Sequence, residues 1–464
     1  MPRGILSAAA YVPRGRLDRS AIAPFVGTGG GSGTRAVASY DEDTTSMGVE
    51  AARLALRSAP TGVELDALWF STVAPAYLDK TNATAIHAAL RLDHDVRAAD
   101  FGGATRSAVA ALAAALTGSG TELVVSSDLR TGLPGSADEA LGGDGAAALV
   151  VGDGPGLAEY LGGASVTEEF VDQWRTPGDT RTRHWEERFG ETKYVPLAEQ
   201  AWREGLKRTG LSAEQVDVVV ATGSHARALR STVTRLGLAK EAVADDLSAT
   251  LGNAGAAHPG LLLAKALESA PPGHVIALLV LADGAEVLFF RTTDAVSSWR
   301  PARTVEAQVA AGTDIPYGKF LAWRGVLAVE PPRRPEPQRM SASAAGRHED
   351  WKYGFVGRRD PETGSPQLPP LPGSGDSVPM AETEGTIFTF TVDRIAYSPS
   401  PPIVFAVVDF DGGGRLPIEL TDARVEELSV GDRVEMTFRR LYTADGIHNY
   451  FWKARPVVAG AKEG

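Results

Sequence analysis

Near-continuous apolar runs alternate with Ala/Leu-rich stretches of helical period over residues 1–325. LDALWFSTV (65–73), ELVVSSD (122–128), AAALVVGD (146–153), DVVVATG (217–223) and VIALLVLAD (275–283) predict strands. They are apolar throughout rather than alternating, as in a sheet covered on both faces. Residues 44–58, 83–92, 106–118, 197–210 and 260–270 predict helices between them, the α/β pattern. GDGAAALVVGDG (143–154) is echoed by LADGAEVLFFR (281–291), each a turn running into an apolar strand, which suggests a duplicated βαβ-type unit.

The period changes after Trp323. Residues 326–346 are Pro- and Arg-rich and read as a linker. Residues 384–457 switch to short alternating strands with DGGG and ADG turns, the pattern of a small barrel of the OB type. The expected organisation is therefore two α/β halves (1–155 and 156–325), a linker (326–346), a short segment (347–378) and an OB-fold domain (379–464).

Composition narrows the function. At 464 residues the chain exceeds one core, and a net charge of −12 disfavours nucleic acid and anionic membranes. The N-terminal MPRGILSAAAYVPRGRL is broken by Pro13 and Arg14 and reads as a first strand, not a signal peptide, so the expected location is cytoplasmic. There is no cysteine, which excludes thiolate chemistry and disulfides.

That absence matters at ADFGGATRSAVAAL (99–112), where a Gly-Gly pair leads into a helix at Thr105. Such a junction suits a nucleophile, because free N–H groups and the helix dipole favour negative charge. Read alone, Thr105 is an N-cap; a hydroxyl without an activating base is a weak nucleophile.

With DEDTTSMGVEAA (41–52), DFGGATRS (100–107), SHARALR (224–230) and GNAGAAHPG (252–260), the first two-thirds resembles the thiolase superfamily, nearest hydroxymethylglutaryl-CoA synthase and ketoacyl synthase III. The resemblance implies a duplicated five-layer αβαβα fold and a coenzyme A or carrier-protein thioester as substrate, for condensation or acyl transfer. Retro-aldol cleavage and a non-catalytic acyl-binding scaffold are its alternatives. It also implies a homodimer formed near the strand that carries Asp100.

The family's cysteine lies five residues after Asp100, where this chain has Thr105. Its histidine falls on His225 and its asparagine on Asn253. Arg106, Ser224, Gly252 and Gly284 are the implied substrate-binding residues. The synthases' glutamate belongs in STVAPAY (71–77), which has none. His258 is as readily a structural neighbour, and the WR…HWEERF segment could line an acyl entrance or be solvated surface.

The last third resembles an acyl-CoA-associated OB domain, usually preceded by a four-cysteine zinc ribbon. Here Asp360 and Thr363 stand at the first cysteine pair, and PLPGSGDS at the second. Hard oxygen donors make a poor tetrahedral zinc site, so no zinc is expected. Packing of Trp351, Tyr353 and Phe355 must then hold the loop.

Overall fold

The computed structural model describes residues 2–457 except Ser374; Met1, Ser374 and 458–464, which the expected domain bounds include, lie outside the described residues. The apolar runs form β1 (Arg3–Tyr11), β2 (Ala67–Thr72), β3 (Arg97–Gly102), β4 (Glu122–Asp128) and β5 (Gly145–Asp153). The second half contributes β6 (Ala158–Val166), β7 (Val218–Gly223), β8 (Val275–Leu281) and β9 (Ala285–Thr292). Their hydrogen-bonded order is β7-β8-β9-β6-β1-β5-β4-β2-β3. The halves meet through a short contact, Gly4 opposite Glu159 and Ile5 opposite Ala158.

Five helices cover and divide this sheet: α1 (Thr44–Arg57), α2 (Arg106–Thr117), α3 (Glu187–Thr209), α4 (Ala226–Arg235) and α5 (His258–Ser269). Three apolar layers result. Met47, Val49 and Leu54 of α1 pack on Leu68, Phe70 and Val125. Val109, Leu112 and Leu116 of α2 pack with Leu261, Leu263 and Leu267 of α5 between the two halves. Leu197, Ala201 and Trp202 of α3 close the far side on Leu279, Val287 and Phe289. Three cores between five layers is the αβαβα arrangement, and burial on both faces explains why the strands read as unbroken apolar runs.

One helix departs from its expected bounds. α3 was expected over 197–210 but begins at Glu187 and carries Pro196 inside it. A proline lacks the N–H of a helix interior, so the sequence pattern places a start there. The apolar face of Tyr194 and Leu197, buried in one cluster on both sides of the proline, holds the helix through it.

The C-terminal strands β10 (Gly385–Asp393), β11 (Ile403–Phe410), β12 (Arg415–Leu420), β13 (Arg433–Ala444) and β14 (Ile447–Pro456) close in the order β10-β11-β12-β14-β13. The barrel's Phe438, Trp452, Val408 and Ile418 share one cluster with α1, so the barrel has no separate core.

Charge joins them as well. Asp41, Glu42 and Asp43, in the run that leads into α1, face the barrel's Arg439, Lys453 and Arg440. Glu50 of α1 pairs with Arg455, 3.1 Å away. Asp43 also accepts from Ser46 N and Tyr450 Oη. DEDTTSMGVEAA is thus a capping box and a docking surface at once.

Before the barrel, Val356–Arg359 pairs with Pro366–Gln367 and Ser377–Pro379. At the turn Asp360 Oδ1 accepts from Glu362 N and Thr363 N, and Gln367 Nε2 donates to Asp360 Oδ2 at 2.6 Å. Hydrogen bonds therefore close the turn where the family's first cysteine pair stands. Phe355, fully buried, stacks on Trp452 and meets Trp351, while Tyr353 meets Phe438. Among the described residues no cluster of three or more His, Asp or Glu could hold a metal ion, and no helix is long and apolar enough to cross a membrane.

Candidate active site

Thr105 from the first half meets Ser224, His225 and Asn253 from the second around one cavity of about 380 Å³. The turn before α2 delivers Thr105, which is 8% exposed. Its backbone is helical (φ −56°, ψ −36°) and its hydroxyl makes no capping bond. A residue that caps needs an extended backbone, so the N-cap reading of Thr105 falls. Asp100 serves elsewhere, accepting from the N–H groups of Asn82 and Ala83 at the start of the helix Ala83–Ala89.

His225 ends the loop after β7 and is the N-cap of α4: its Nδ1 accepts from Ala228 N at 3.0 Å. Nδ1 is therefore unprotonated, and Nε2–H donates to the Glu187 carbonyl at 2.9 Å. The α3 backbone leaves room for this ring only at Gly190, where a Cβ would collide with it. Both ring nitrogens of His225 are thus held by backbone, Nε2 as donor and Nδ1 as acceptor, with no free lone pair. Asn253 is equally held. Its Nδ2 donates to the Gly223 carbonyl at 2.9 Å and its Oδ1 accepts from Gly255 N at 2.8 Å, leaving one amide hydrogen unassigned.

The remaining expected residues divide. Ser224 lines the cavity. Gly252, next to Asn253 and with φ +75°, has no room for a Cβ, which would collide with the Gly142 carbonyl. Arg106 and Gly284 lie apart from it and against each other. Arg106 turns to the second half, donating to Ser165 Oγ (2.7 Å), Thr167 Oγ1 (2.9 Å) and the Asp283 carbonyl. The structure gives Arg106 the work of tying the halves together. No residue of 71–77 is among those lining the cavity.

One group was missed in the sequence. Asp128, fully buried at the end of β4, accepts from Val73 N, Thr72 Oγ1 and Ala256 N, pinning the end of β2 and the turn before α5 behind the site. Burial pushes its carboxyl up from the ordinary range. Its only signal was a lone aspartate closing an apolar strand. The segment that ends in HWEERF, singled out in the sequence, brings Asp172, His184, Trp185, Glu186 and Glu187 to the same cavity as Arg130 and Asp138. Both readings of HWEERF hold: His184, Trp185, Glu186 and Glu187 line the cavity and are exposed.

His258 is structural. Buried at the start of α5, it donates from Nε2 to the Asp246 carbonyl (3.0 Å) and accepts at Nδ1 from Ala254 N. Burial lowers its pKa to about 4 against the pull of Asp246. The unfolded imidazole takes a proton below about 6.5 while the folded one stays neutral, so stability present above that pH is lost as pH falls toward 4. The expected loss is about 3 kcal/mol across that window, at ~1.4 kcal/mol per pKa unit. Urea unfolding at a series of pH values should show it in the native chain and a flattened dependence in His258→Gln. Equal slopes for the two would sink this assignment.

Comparison with known proteins agrees with the geometry. A model of the C-terminal part of 3-oxoacyl-[acyl-carrier-protein (ACP)] synthase III matches residues 206–287, and one of the ChsH2 C-terminal OB-fold domain matches residues 377–439. The chain is 31% identical over 306 residues to hydroxymethylglutaryl-CoA synthase of Aeropyrum pernix, covering 64% of this chain and 85% of that one. Against the Pyrococcus furiosus enzyme it is 30% identical over 292 residues, covering 61% and 83%.

Among solved structures, MvaS in complex with 3-hydroxy-3-methylglutaryl coenzyme A aligns with a TM-score of 0.57 at 23% identity, covering 73% of this chain and 94% of that one. The synthase III FabH of Pseudomonas aeruginosa PAO1 aligns at 0.54 with 21% identity, covering 63% and 99%. At those identities the structures speak for the shared fold, and the curated relatives for the lineage. The chain belongs to the hydroxymethylglutaryl-CoA synthase family of thiolase-fold condensing enzymes, extended at its C-terminus by an OB-fold barrel.

Proposed function

We propose that this chain condenses or transfers acyl groups held as coenzyme A or carrier-protein thioesters, with Thr105 at the acyl position where the family has cysteine. The carrying observation is the meeting of Thr105, His225 and Asn253, from opposite halves, on one cavity. His225 Nε2–H would exchange the Glu187 carbonyl for the thioester oxygen, and the unassigned amide hydrogen of Asn253 would join it. Two donors aimed at a developing oxyanion contribute more in a site that excludes water. Thr105 then presents a polar hydroxyl to the acyl carbon. The substrate partner in this reading is a thioester and the assembly a homodimer, for which β3 is the exposed free edge of the sheet.

A second reading, carbon–carbon cleavage, is favoured by one observation: among the described residues no base is hydrogen-bonded to the Thr105 hydroxyl, and retro-aldol chemistry needs no nucleophile. Intact-protein mass spectrometry with a panel of acyl-CoA and acyl-carrier-protein thioesters separates the readings. The expected result is thioester consumption by the native chain, and a stable adduct of one acyl group on Thr105→Cys, whose sulfur would sit at a helix N-terminus that favours thiolate. Release of two smaller products from a β-hydroxyacyl thioester, with no adduct on either form, gives cleavage. No consumption and no adduct across the panel leaves an acyl-binding scaffold and overturns the proposal.

A further inference from the structure

The cavity contains a second imidazole, and it is differently placed from the first. His184 sits on the two-stranded ribbon Gln173–Trp174/Arg183–His184, at the cavity mouth. Its Nε2 lies 2.9 Å from Asp138 Oδ1, on the short helix Ala137–Leu141, and both side chains line the same cavity as Thr105 and Asn253. The pair is open to solvent and substrate, 43% and 34% exposed. Since an ionised carboxylate only accepts, Nε2 carries the hydrogen and Nδ1 keeps its lone pair. Among the described residues that nitrogen has no hydrogen-bond partner. His225 offers the opposite case, its lone pair spent on Ala228 N–H.

We propose that His184, positioned by Asp138, is the general acid–base of this cavity, supplying the proton transfer that the missing glutamate and the locked His225 leave without a group. The inference rests on the thioester reading above. Nδ1 takes the proton from the carbon α to the thioester carbonyl, and the C–H electron pair passes into the enolate. The enolate carbon adds to the carbonyl of the second substrate, and the resulting alkoxide takes the proton back from Nδ1. Run backwards, the same step takes a β-hydroxyl proton and returns it to the enolate carbon. No oxidant, metal or external base enters the balance. Asp138 offsets the imidazolium formed between the two transfers, the role a carboxylate plays behind a general base.

The groups facing His184 are Asp138 from the short helix, Asp172 from its own ribbon and Arg130 from the loop after β4. The Asp138 hydrogen bond raises the imidazole's pKa, burial opposes it, and the charge of Asp172 adds to the rise. Asp172 is 6% exposed and its Oδ1 has no hydrogen-bond partner among the described residues, so a second carboxylate stands behind the ribbon with capacity unused.

The test follows exchange of α-hydrogens in deuterated water, with acetyl-CoA and octanoyl-CoA as probes, alongside ¹⁵N NMR titration of the histidines in the free protein. The native chain is expected to exchange both probes. His184→Asn should lose at least 100-fold, with circular dichroism unchanged at so exposed a residue. Asp138→Asn should lose 10-fold or more, with the pH midpoint of the rate and of the His184 resonance both moved down. Exchange by His184→Asn at the native rate overturns this assignment and leaves the thioester reading standing. An unmoved His184 midpoint in Asp138→Asn overturns it too, whatever the rates. No exchange or turnover of any thioester by the native chain removes both readings together.

Discussion

Arg439→Ala is expected to destabilise the chain by about 3–5 kcal/mol, the cost of leaving buried charges without their counter-ion. The guanidinium is fully buried, 2.5 Å from Glu42 Oε1 and 2.7 Å from Asp422 Oδ2, with Asp41 at 3.7 Å. Burial alone would lower its pKa, yet Asp422, Glu42, Tyr11 and Asp41 together hold it well above the ordinary arginine value. Deletion takes a counter-ion from three carboxylates: Asp41 retains Lys453 at 2.9 Å, Asp422 retains Arg455 at 4.0 Å, and among the described residues Glu42 is left with the Tyr11 hydroxyl and the Ser39 N–H and no cation. Domains are stable by only ~5–15 kcal/mol, so the loss is a large fraction of the whole. Because the barrel shares its apolar cluster with α1, both should unfold in one weakened transition rather than the barrel peeling away. Urea unfolding followed by tryptophan fluorescence, reporting Trp452 in the barrel and Trp69 in β2, would show it. Adding Glu42→Gln to Arg439→Ala should recover part of the loss, because one stranded charge is gone. A single variant within 1 kcal/mol of the native chain would refute the account of the docking surface.

This network explains why the sequence was legible in some places and opaque in others. The αβαβα layers follow from short-range pattern: a strand such as β8 is apolar at every position, and α2 has alanines and leucines at helical spacing. Thr105, His225 and Asn253 were found by motif, since each stands in a short segment whose spacing is local. The run Asp41–Asp43 was visible only as a family marker. Its partners lie in β13 and β14, some 400 residues on (Tyr450 is 407 residues from Asp43), a separation no local window spans.

His184 and Asp138 escaped for the same reason. Each alone is an ordinary polar surface residue, and only the ribbon's fold brings them within a hydrogen bond. Arg106 misled in the other direction. Next to the nucleophile position in sequence, it leaves the site because its side chain swings across to Asp283 and Ser165. Adjacency in sequence fixes where a backbone goes and says little about where a long side chain ends.

Gly143→Ala should disable the site without replacing any side chain that lines it. Gly143 opens the GDGAAALVVGDG segment, where its N–H donates to the Asn253 carbonyl at 2.9 Å and Asn253 N donates back to the Leu141 carbonyl at 2.8 Å. The two loops, one from each half, therefore lie backbone to backbone under the cavity. A Cβ on Gly143 would collide with the Leu251 carbonyl oxygen, a group that donates no room because it already accepts from Ala36 N. Gly252 faces it, the space beside its Cα taken up by the Gly142 carbonyl where a Cβ would stand, so neither loop can shift without parting the pair. Separation costs two backbone hydrogen bonds, ~1–3 kcal/mol each when left unsatisfied, hence about 2–6 kcal/mol. It also carries Asn253 away from Gly223, and a misplacement near 1 Å costs about 100-fold in rate where geometry governs the reaction. Gly346→Ala is the control: nothing lies within 4 Å of its Cβ position, and its helix should tolerate alanine. Thermal midpoint and hydrogen exchange at the Asn253 and Gly143 amides are the measurements, with α-hydrogen exchange of acyl-CoA as the functional readout. Gly143→Ala should show a lowered midpoint, faster exchange at both amides and at least a 100-fold slower reaction. If it matches Gly346→Ala in midpoint and in amide protection, the seam between the halves is not what holds Asn253.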